Sequence, residues 1–231
     1  MVILNGMTSA SGALRYWERR QEVTANNLAN VSTNGFKAER SFGSLLDGTP
    51  VVGTHIDRRV GNIRQTGDSM DIALGNDGFL VVNTPQGERF SRGGHLEVDA
   101  DGYLADSGEH QLLGRSGPIK VGNAKVTLDA QGNVTVDGNK VDQLRVESAP
   151  AGATLAHEGG NLLVPDSVRT LVPIDQRDIR QGAVEESNVD SLGGLVDMIS
   201  VQRAYAAVEK SITLLDHVRE TASSLLGKPA A

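Results

Sequence analysis

The chain has 231 residues, 22 Lys+Arg against 29 Asp+Glu for a net charge of −7, no cysteine and 3% aromatic residues. The missing cysteine excludes disulfide scaffolds, thiolate metal centres and cysteine nucleophiles, and a pI near 5.2 without basic runs argues against nucleic acid as a partner, because phosphate contacts need clustered Lys and Arg. No stretch approaches the ~20 apolar residues of a membrane helix, so no membrane insertion is expected. Arg15, Arg19 and Arg20 follow the apolar start of the chain, whereas a cleavable secretory signal needs the reverse order.

From Met7 to Val31 the series Met7, Ala10, Leu14, Trp17, Gln21, Thr24, Leu28, Val31 advances by alternating steps of three and four, the period of a coiled-coil seam. A helix is expected there, stopped by Asn34-Gly35, whose residues tolerate positive φ. The middle of the chain reads as β structure. Leu80-Val81-Val82, Leu96-Glu97-Val98, Lys125–Leu128 and Asn133–Val136 are short β-favouring segments, set off by Asp77-Gly78, Asp101-Gly102, Gln131-Gly132 and Asp137-Gly138, which suggests a meander of hairpins. Val98–Leu104 is echoed by Leu128–Val134, and a single echo does not make a solenoid.

A second seam, Met198, Val201, Tyr205, Val208, Ile212, Leu215, Arg219, Ala222, Leu226, predicts a C-terminal helix over about 189–226. Ser187, Asn188 and Asp190 are its N-cap candidates and Gly227 with Pro229 its stop, while Gly193-Gly194 weakens its first turns. The fold class is α+β: N- and C-terminal helices paired as a coiled-coil-like helical domain, with a central all-β domain of short antiparallel strands and hairpins. The boundaries expected are 1–35 and 185–231 for the helical assembly domain, 36–70 and 176–184 for an extended linker region, and 71–175 for the β-rich outer domain. Because an isolated amphipathic helix is marginal in water, both ends are expected to lack partners until copies assemble.

Chemistry is sparse. Asp99-Ala100-Asp101-Gly102 begins like a calcium loop, but an EF-hand needs Gly at loop position six and Glu at twelve, where Leu104 and His110 stand. The five histidines show neither the i, i+4 spacing nor the clustering of a metal site. Nucleophile elbows and phosphate-cradling loops are missing, and Glu185-Glu186 suits the dipole of the helix that follows. The expectation is no enzyme, no metal and no cofactor. What stands out is Asn26-Asn27-Leu28-Ala29-Asn30, since a fraying helix end accounts for one Asn and not three.

Ala25-Asn26-Asn27-Leu28-Ala29-Asn30-Val31-Ser32-Thr33-Asn34-Gly35-Phe36-Lys37 resembles the N-terminal signature of the bacterial flagellar rod and hook protein family. Three more segments agree in order: Asp71–Leu74 with Gly78–Val82, Phe90–Leu96 with Asp101–Leu104, and Gly182–Asp190 with Gln202-Arg203-Ala204-Tyr205. Ala206, Leu80 and Ser91 depart from the family's usual Glu, Phe and Thr. The resemblance implies a structural subunit of the axial filament in the basal body, in the periplasmic space, with paired end helices forming an inner tube and the β-domain outside. It implies partners among the other rod proteins, proximal and distal, and further copies of the same chain in a helical assembly that transmits torque from motor to hook. It also implies passage through the flagellar type III export apparatus without a cleavable signal.

Within the family the length leaves no room for a hook protein's extra domain, and Gly117-Pro118-Ile119 with Asp137-Gly138 resembles a proximal rod member, a distal member being the alternative. A β-rich surface adhesin is the competing reading from another class. Leu14, Trp17, Asn26, Asn27, Leu28, Asn30, Gln202, Arg203, Tyr205, Ile212 and Leu215 are the expected assembly interface, the two stripes pairing within and between copies and the Asn amides bonding neighbouring subunits.

Overall fold

A computed structural model describes residues 2–46, 49–150, 152–165 and 168–226. Helix α1 runs Val2–Ala29, and a turn closed by the Thr33 amide donating to the Asn30 carbonyl (3.1 Å) ends it two residues before the expected Val31. Helix α2 runs Ser191–Leu226. Its cap is Asp190, whose Oδ1 accepts the Gly193 amide at 3.1 Å. The glycine pair that weakens this turn also makes it possible: a Cβ on Gly193 would lie 2.5 Å from Asp190 Oδ2, and one on Gly194 would lie 2.9 Å from Leu28 Cδ2.

The chain divides into two units. The first comprises Met1–Leu28, Glu39–Thr54 and Asp190–Ala231, and so holds α1, α2 and most of a hairpin of strands Glu39–Leu46 and Thr49–Ile56. The segment 36–70, expected as an extended linker region, carries this hairpin and the strand Ile63–Gln65, and the end helices, whose stripes are expected to pair within and between copies, touch inside one chain. Arg20 reaches within 3.9 Å of Asp197, Leu28 abuts Gly194, and Val23, Thr24 and Val201 are buried. The hairpin's Gly43 stands against Tyr16, where an added Cβ would sit 3.4 Å from the ring.

The second unit, Ala29–Ala38 with His55–Val189, is an all-antiparallel β body. Its largest sheet runs, neighbour to neighbour, through Ala156–Gly159, Leu162–Val164, Gly87–Ser91, Phe79–Thr84, Gln111–Leu112, Leu104–Asp106, Gly93–Val98, Asp71–Leu74 and Ile179–Gln181. Strand Phe79–Thr84 shows why the apolar run is continuous. Period-two alternation sends Leu80 and Val82 into a core with Ile72, Leu96, Leu104 and Val134, and sends Phe79 and Val81 into a second core with Phe90, Leu113 and Leu163. The Phe79 and Phe90 rings stack at 5.0 Å.

The sequence echo is a repeated turn. Asp99 Oδ1 accepts the amides of Asp101 (3.0 Å) and Tyr103 (2.7 Å), and Asp129 Oδ1 accepts those of Gln131 (3.0 Å) and Asn133 (2.9 Å). A third instance follows Asp106, whose Oδ1 accepts the amides of Gly108 and His110, both at 2.9 Å. The fourth residue takes positive φ each time, +84° at Gly102, +85° at Gly132 and +63° at Glu109. An L side chain pays about 1–2 kcal/mol there. Thermal unfolding is therefore expected to show Gly102→Ala destabilised by about that amount, whereas Glu109→Gly loses nothing or gains up to ~1 kcal/mol after the extra unfolded-state entropy of glycine is counted. Equal losses in both would contradict the shared geometry.

Candidate functional site at the junction of the chain ends

Three residues, one from each of the signature segments around Lys37, Arg92 and Glu185, meet inside the β unit. Glu185 ends the strand Ala183–Glu185, which pairs antiparallel with Ile63–Gln65. Its Oε1 accepts from Lys37 Nζ at 2.6 Å and from the Gly61 amide at 2.8 Å, and its Oε2 accepts from Arg92 Nε at 2.6 Å. Lys37 Nζ also donates to the Arg59 carbonyl at 2.7 Å. The Arg92 guanidinium donates to the carbonyls of Gly78 and of Leu74, the latter at 2.8 Å, and lies over the Phe79 ring. The Lys37, Arg92 and Glu185 side chains are 0%, 0% and 1% exposed.

Two cations thus share one carboxylate out of water. Burial, and secondarily the Arg92 charge, push the Lys37 amine down from 10.5 to about 8 against the pull of Glu185. Burial likewise lowers Arg92, although Glu185 opposes it. Gly35 lets the N-terminal segment come this close: with φ +72°, a Cβ there would stand 2.9 Å from Arg92 Cβ. The Phe36 ring stacks on His157 at 4.6 Å, and His157 Nε2 donates to the Lys37 carbonyl at 2.8 Å.

Asn188, read from sequence as a cap candidate, instead bridges three backbones. Its Oδ1 accepts the Ala38 amide (2.7 Å), and its Nδ2 donates to the carbonyls of Asp57 (2.8 Å) and Arg59 (2.9 Å). Glu185 is a buried ion-pair partner rather than a helix-dipole charge. Its neighbour Glu186 is solvent-facing and pairs with Arg64 at 3.0 Å. No member of this cluster is open to a substrate. The arrangement fastens chain segments.

The expected interface residues divide. Leu14, Trp17, Leu28, Tyr205, Ile212 and Leu215 are half-buried, while Asn26, Gln202 and Arg203 face outward. Asn27 is engaged within its own chain. Its Nδ2 donates to the Glu39 carbonyl (2.8 Å) and its Oδ1 accepts the Glu39 amide (2.9 Å), a side-chain imitation of strand pairing that holds the hairpin in its own chain. Asn30 Oδ1 accepts the Thr33 hydroxyl at 3.1 Å within the turn after α1.

Among the described residues, Asp68, Asp71 and His95 bring metal-capable atoms within 4.8 Å of one another. His95 Nδ1 is joined to Asp71 at 2.8 Å and Asp68 Oδ1 accepts the Met70 amide at 2.9 Å, so local hydrogen bonds already use these groups. Sequence spacing could not show the trio, since His95 and Asp71 come together only across paired strands. His95 and His110 line an open cleft of about 730 Å³ together with Thr33, Asn34, Glu158 and Asn161.

A family model described as flagella basal body rod protein matches residues 7–37, and one described as flagellar basal body rod FlgEFG protein C-terminal matches residues 180–225. The flagellar basal-body rod protein FlgF of Escherichia coli (strain K12) is 30% identical over 94% of this chain and 96% of its own length. The chain belongs to the flagellar basal-body rod protein family. FlgG rod proteins are also similar, that of Buchnera aphidicola subsp. Schizaphis graminum at 30% identity over 88% of this chain and 92% of its own, and that of Bacillus subtilis (strain 168) at 25% over 94% and 97%. This family is a structural component of the rod and not an enzyme family. In this rod-family chain the first matched segment ends on Lys37 and the second contains Glu185 and Asn188, so the parts described by the family models include both sides of the buried junction.

Proposed function

We propose that the chain is a subunit of the proximal flagellar rod, exported through the type III apparatus and assembled helically with itself and with other rod proteins to carry torque from motor to hook. Support comes from similarity to FlgF and FlgG rod proteins over most of the chain and from a surface suited to helix packing. We infer that α1 and α2 pair antiparallel in one chain. Starting from Leu28 against Gly194, each step back along α1 matches a step forward along α2, placing Thr24 by Met198, Gln21 by Val201, Trp17 by Tyr205, Leu14 by Val208 and Ala10 by Ile212. These are the stripes of lower exposure on the two helices.

That pairing leaves a different stripe of α2 for neighbours. Leu192 (73% exposed), Leu195, Val196, Ile199, Leu214 and Val218 (57%) are apolar and solvent-facing, a patch of the sort that marks interaction sites. Gln202 and Arg203 lie on this outward side. A charge there strikes assembly and spares the subunit fold. Ile199→Asp is expected to raise the critical concentration for polymerisation at least tenfold, about 1.4 kcal/mol, and to abolish swimming in a complemented deletion strain. The purified monomer should keep its wild-type circular dichroism. Full motility of the Ile199→Asp strain would overturn the assignment of this face.

A further inference from the structure

We propose that the Lys37–Glu185–Arg92 cluster makes docking of the two chain ends conditional on each other: residues 35–38 seat on the β body only together with residues 185–188, so neither end docks alone. The first reason is charge. With the C-terminal segment away, Lys37 and Arg92 would be two buried cations hydrogen-bonded to backbone carbonyls and to no carboxylate, Asp57 and Asp77 acting on them only at longer range, and a poorly compensated buried charge costs far more than a lost neutral hydrogen bond. Glu185 without the N-terminal segment would keep Arg92, but Lys37 would leave an open slot beside the carboxylate.

The second reason is backbone pairing. The Gly35 amide donates to the Glu185 carbonyl at 2.7 Å, the Asn188 amide to the Phe36 carbonyl at 3.4 Å, and the Ala38 amide to Asn188 Oδ1 at 2.7 Å. Both segments also use one shared support. The Asp57 amide donates to the Ala38 carbonyl at 2.7 Å, Lys37 Nζ and Asn188 Nδ2 both donate to the Arg59 carbonyl, and the Gly61 amide and Lys37 Nζ both donate to Glu185 Oε1. Removing either segment therefore strips partners from the other and from 57–61 at once. The pairing joins residues 148 positions apart.

The body beneath has its own cohesion. Leu80 and Val82 belong to a core drawn from 72–179, and strand Phe79–Thr84 is hydrogen-bonded to Gly87–Ser91, Gln111–Leu112 and Val146–Ser148. It can stay folded while the ends are undocked.

Residue-resolved amide exchange by NMR on the full-length chain separates the possibilities. In Glu185→Gln, a change confined to the C-terminal segment, the amides of Gly35, Ala38 and Asp57 are expected to exchange at least tenfold faster while those of Leu80 and Val82 keep the wild-type rate. Gly35 is the informative position, because its partner is the backbone carbonyl of residue 185, which the substitution leaves in place. Asn188→Ala leaves no buried charge unpaired and gives the same test should Glu185→Gln be insoluble, with faster exchange expected at Gly35 and Asp57. Unchanged exchange at Gly35 and Asp57 in these variants would show the ends to be independent. Equal acceleration at Leu80 and Val82 would make the cluster part of global stability, and either result would overturn the proposal.

Discussion

Replacing Arg92 with leucine is expected to lower the unfolding free energy by about 2–5 kcal/mol, the cost of buried acceptors left without their donor rather than of an unbalanced charge, since Lys37 and Glu185 remain a pair. The substitution leaves the buried carbonyls of Leu74 and Gly78 without donors and takes one hydrogen bond from Glu185. Each orphaned group costs about 1–3 kcal/mol, and leucine returns little, because it is shorter than the guanidinium it replaces. Arg92→Lys should also lose stability, since an ammonium cannot serve three divergent acceptors in the fixed geometry of the guanidinium. The triple variant Lys37→Met, Arg92→Leu, Glu185→Leu removes the charges together but leaves the same two carbonyls without donors, and also takes a donor from the Arg59 carbonyl and the acceptor from the Gly61 amide, so it is expected to recover little of the loss. Urea unfolding of the three proteins reads these values. A loss under 1 kcal/mol in Arg92→Leu would mean that water reaches the two carbonyls and that the cluster is not sealed.

The end helices are legible in sequence because their determinant is local. A three-four alternation survives in any context, and the stripe Met198, Val201, Tyr205, Val208, Ile212, Leu215 is the less exposed side of α2 in the structure. The Asp-x-x-Gly turns are legible for the same reason, each being closed within five residues by its own carboxylate. The junction is not. Charged residues are usually exposed, Glu185 on its own suits the dipole of the helix that follows, and nothing local distinguishes a lysine that will meet its carboxylate across the whole β body. The one legible trace is the family signature, in which all three stand. Asn27 was hidden differently: its asparagine cluster is visible, but its partner is a backbone amide and carbonyl at Glu39, which carry no side-chain signal. The outward stripe of α2 went unread because Leu192, Leu195 and Ile199 look like part of the same helix's core until their exposure is known.

The lysine in the junction also sets the sign of a pH effect. Its amine is held at about 8 in the folded chain, chiefly by burial and then by the Arg92 charge, against an ordinary 10.5. A group whose folded value is depressed in this way binds fewer protons folded than unfolded, so between about pH 8 and 10.5 the unfolded chain holds one proton that the folded chain has released. Stability from this group therefore rises with pH across that window, at up to about 1.4 kcal/mol per unit. Below pH 8 both states carry the charge and the full burial cost is present. The neutral amine is still able to donate to the Arg59 carbonyl and to Glu185, so releasing the proton relieves the crowding of cations without opening the junction. Lys37→Met removes the titration and leaves Arg92 and Glu185 as a balanced pair. Urea unfolding of the wild-type and Lys37→Met chains at pH 7.5, 8.5 and 9.5 should show the wild type gaining on the variant by about 1–2 kcal/mol in all, while changes at every other group cancel between the two. A difference that is flat or falls over this range would mean that Glu185 outweighs burial and Arg92, and that the amine stays charged in the folded chain.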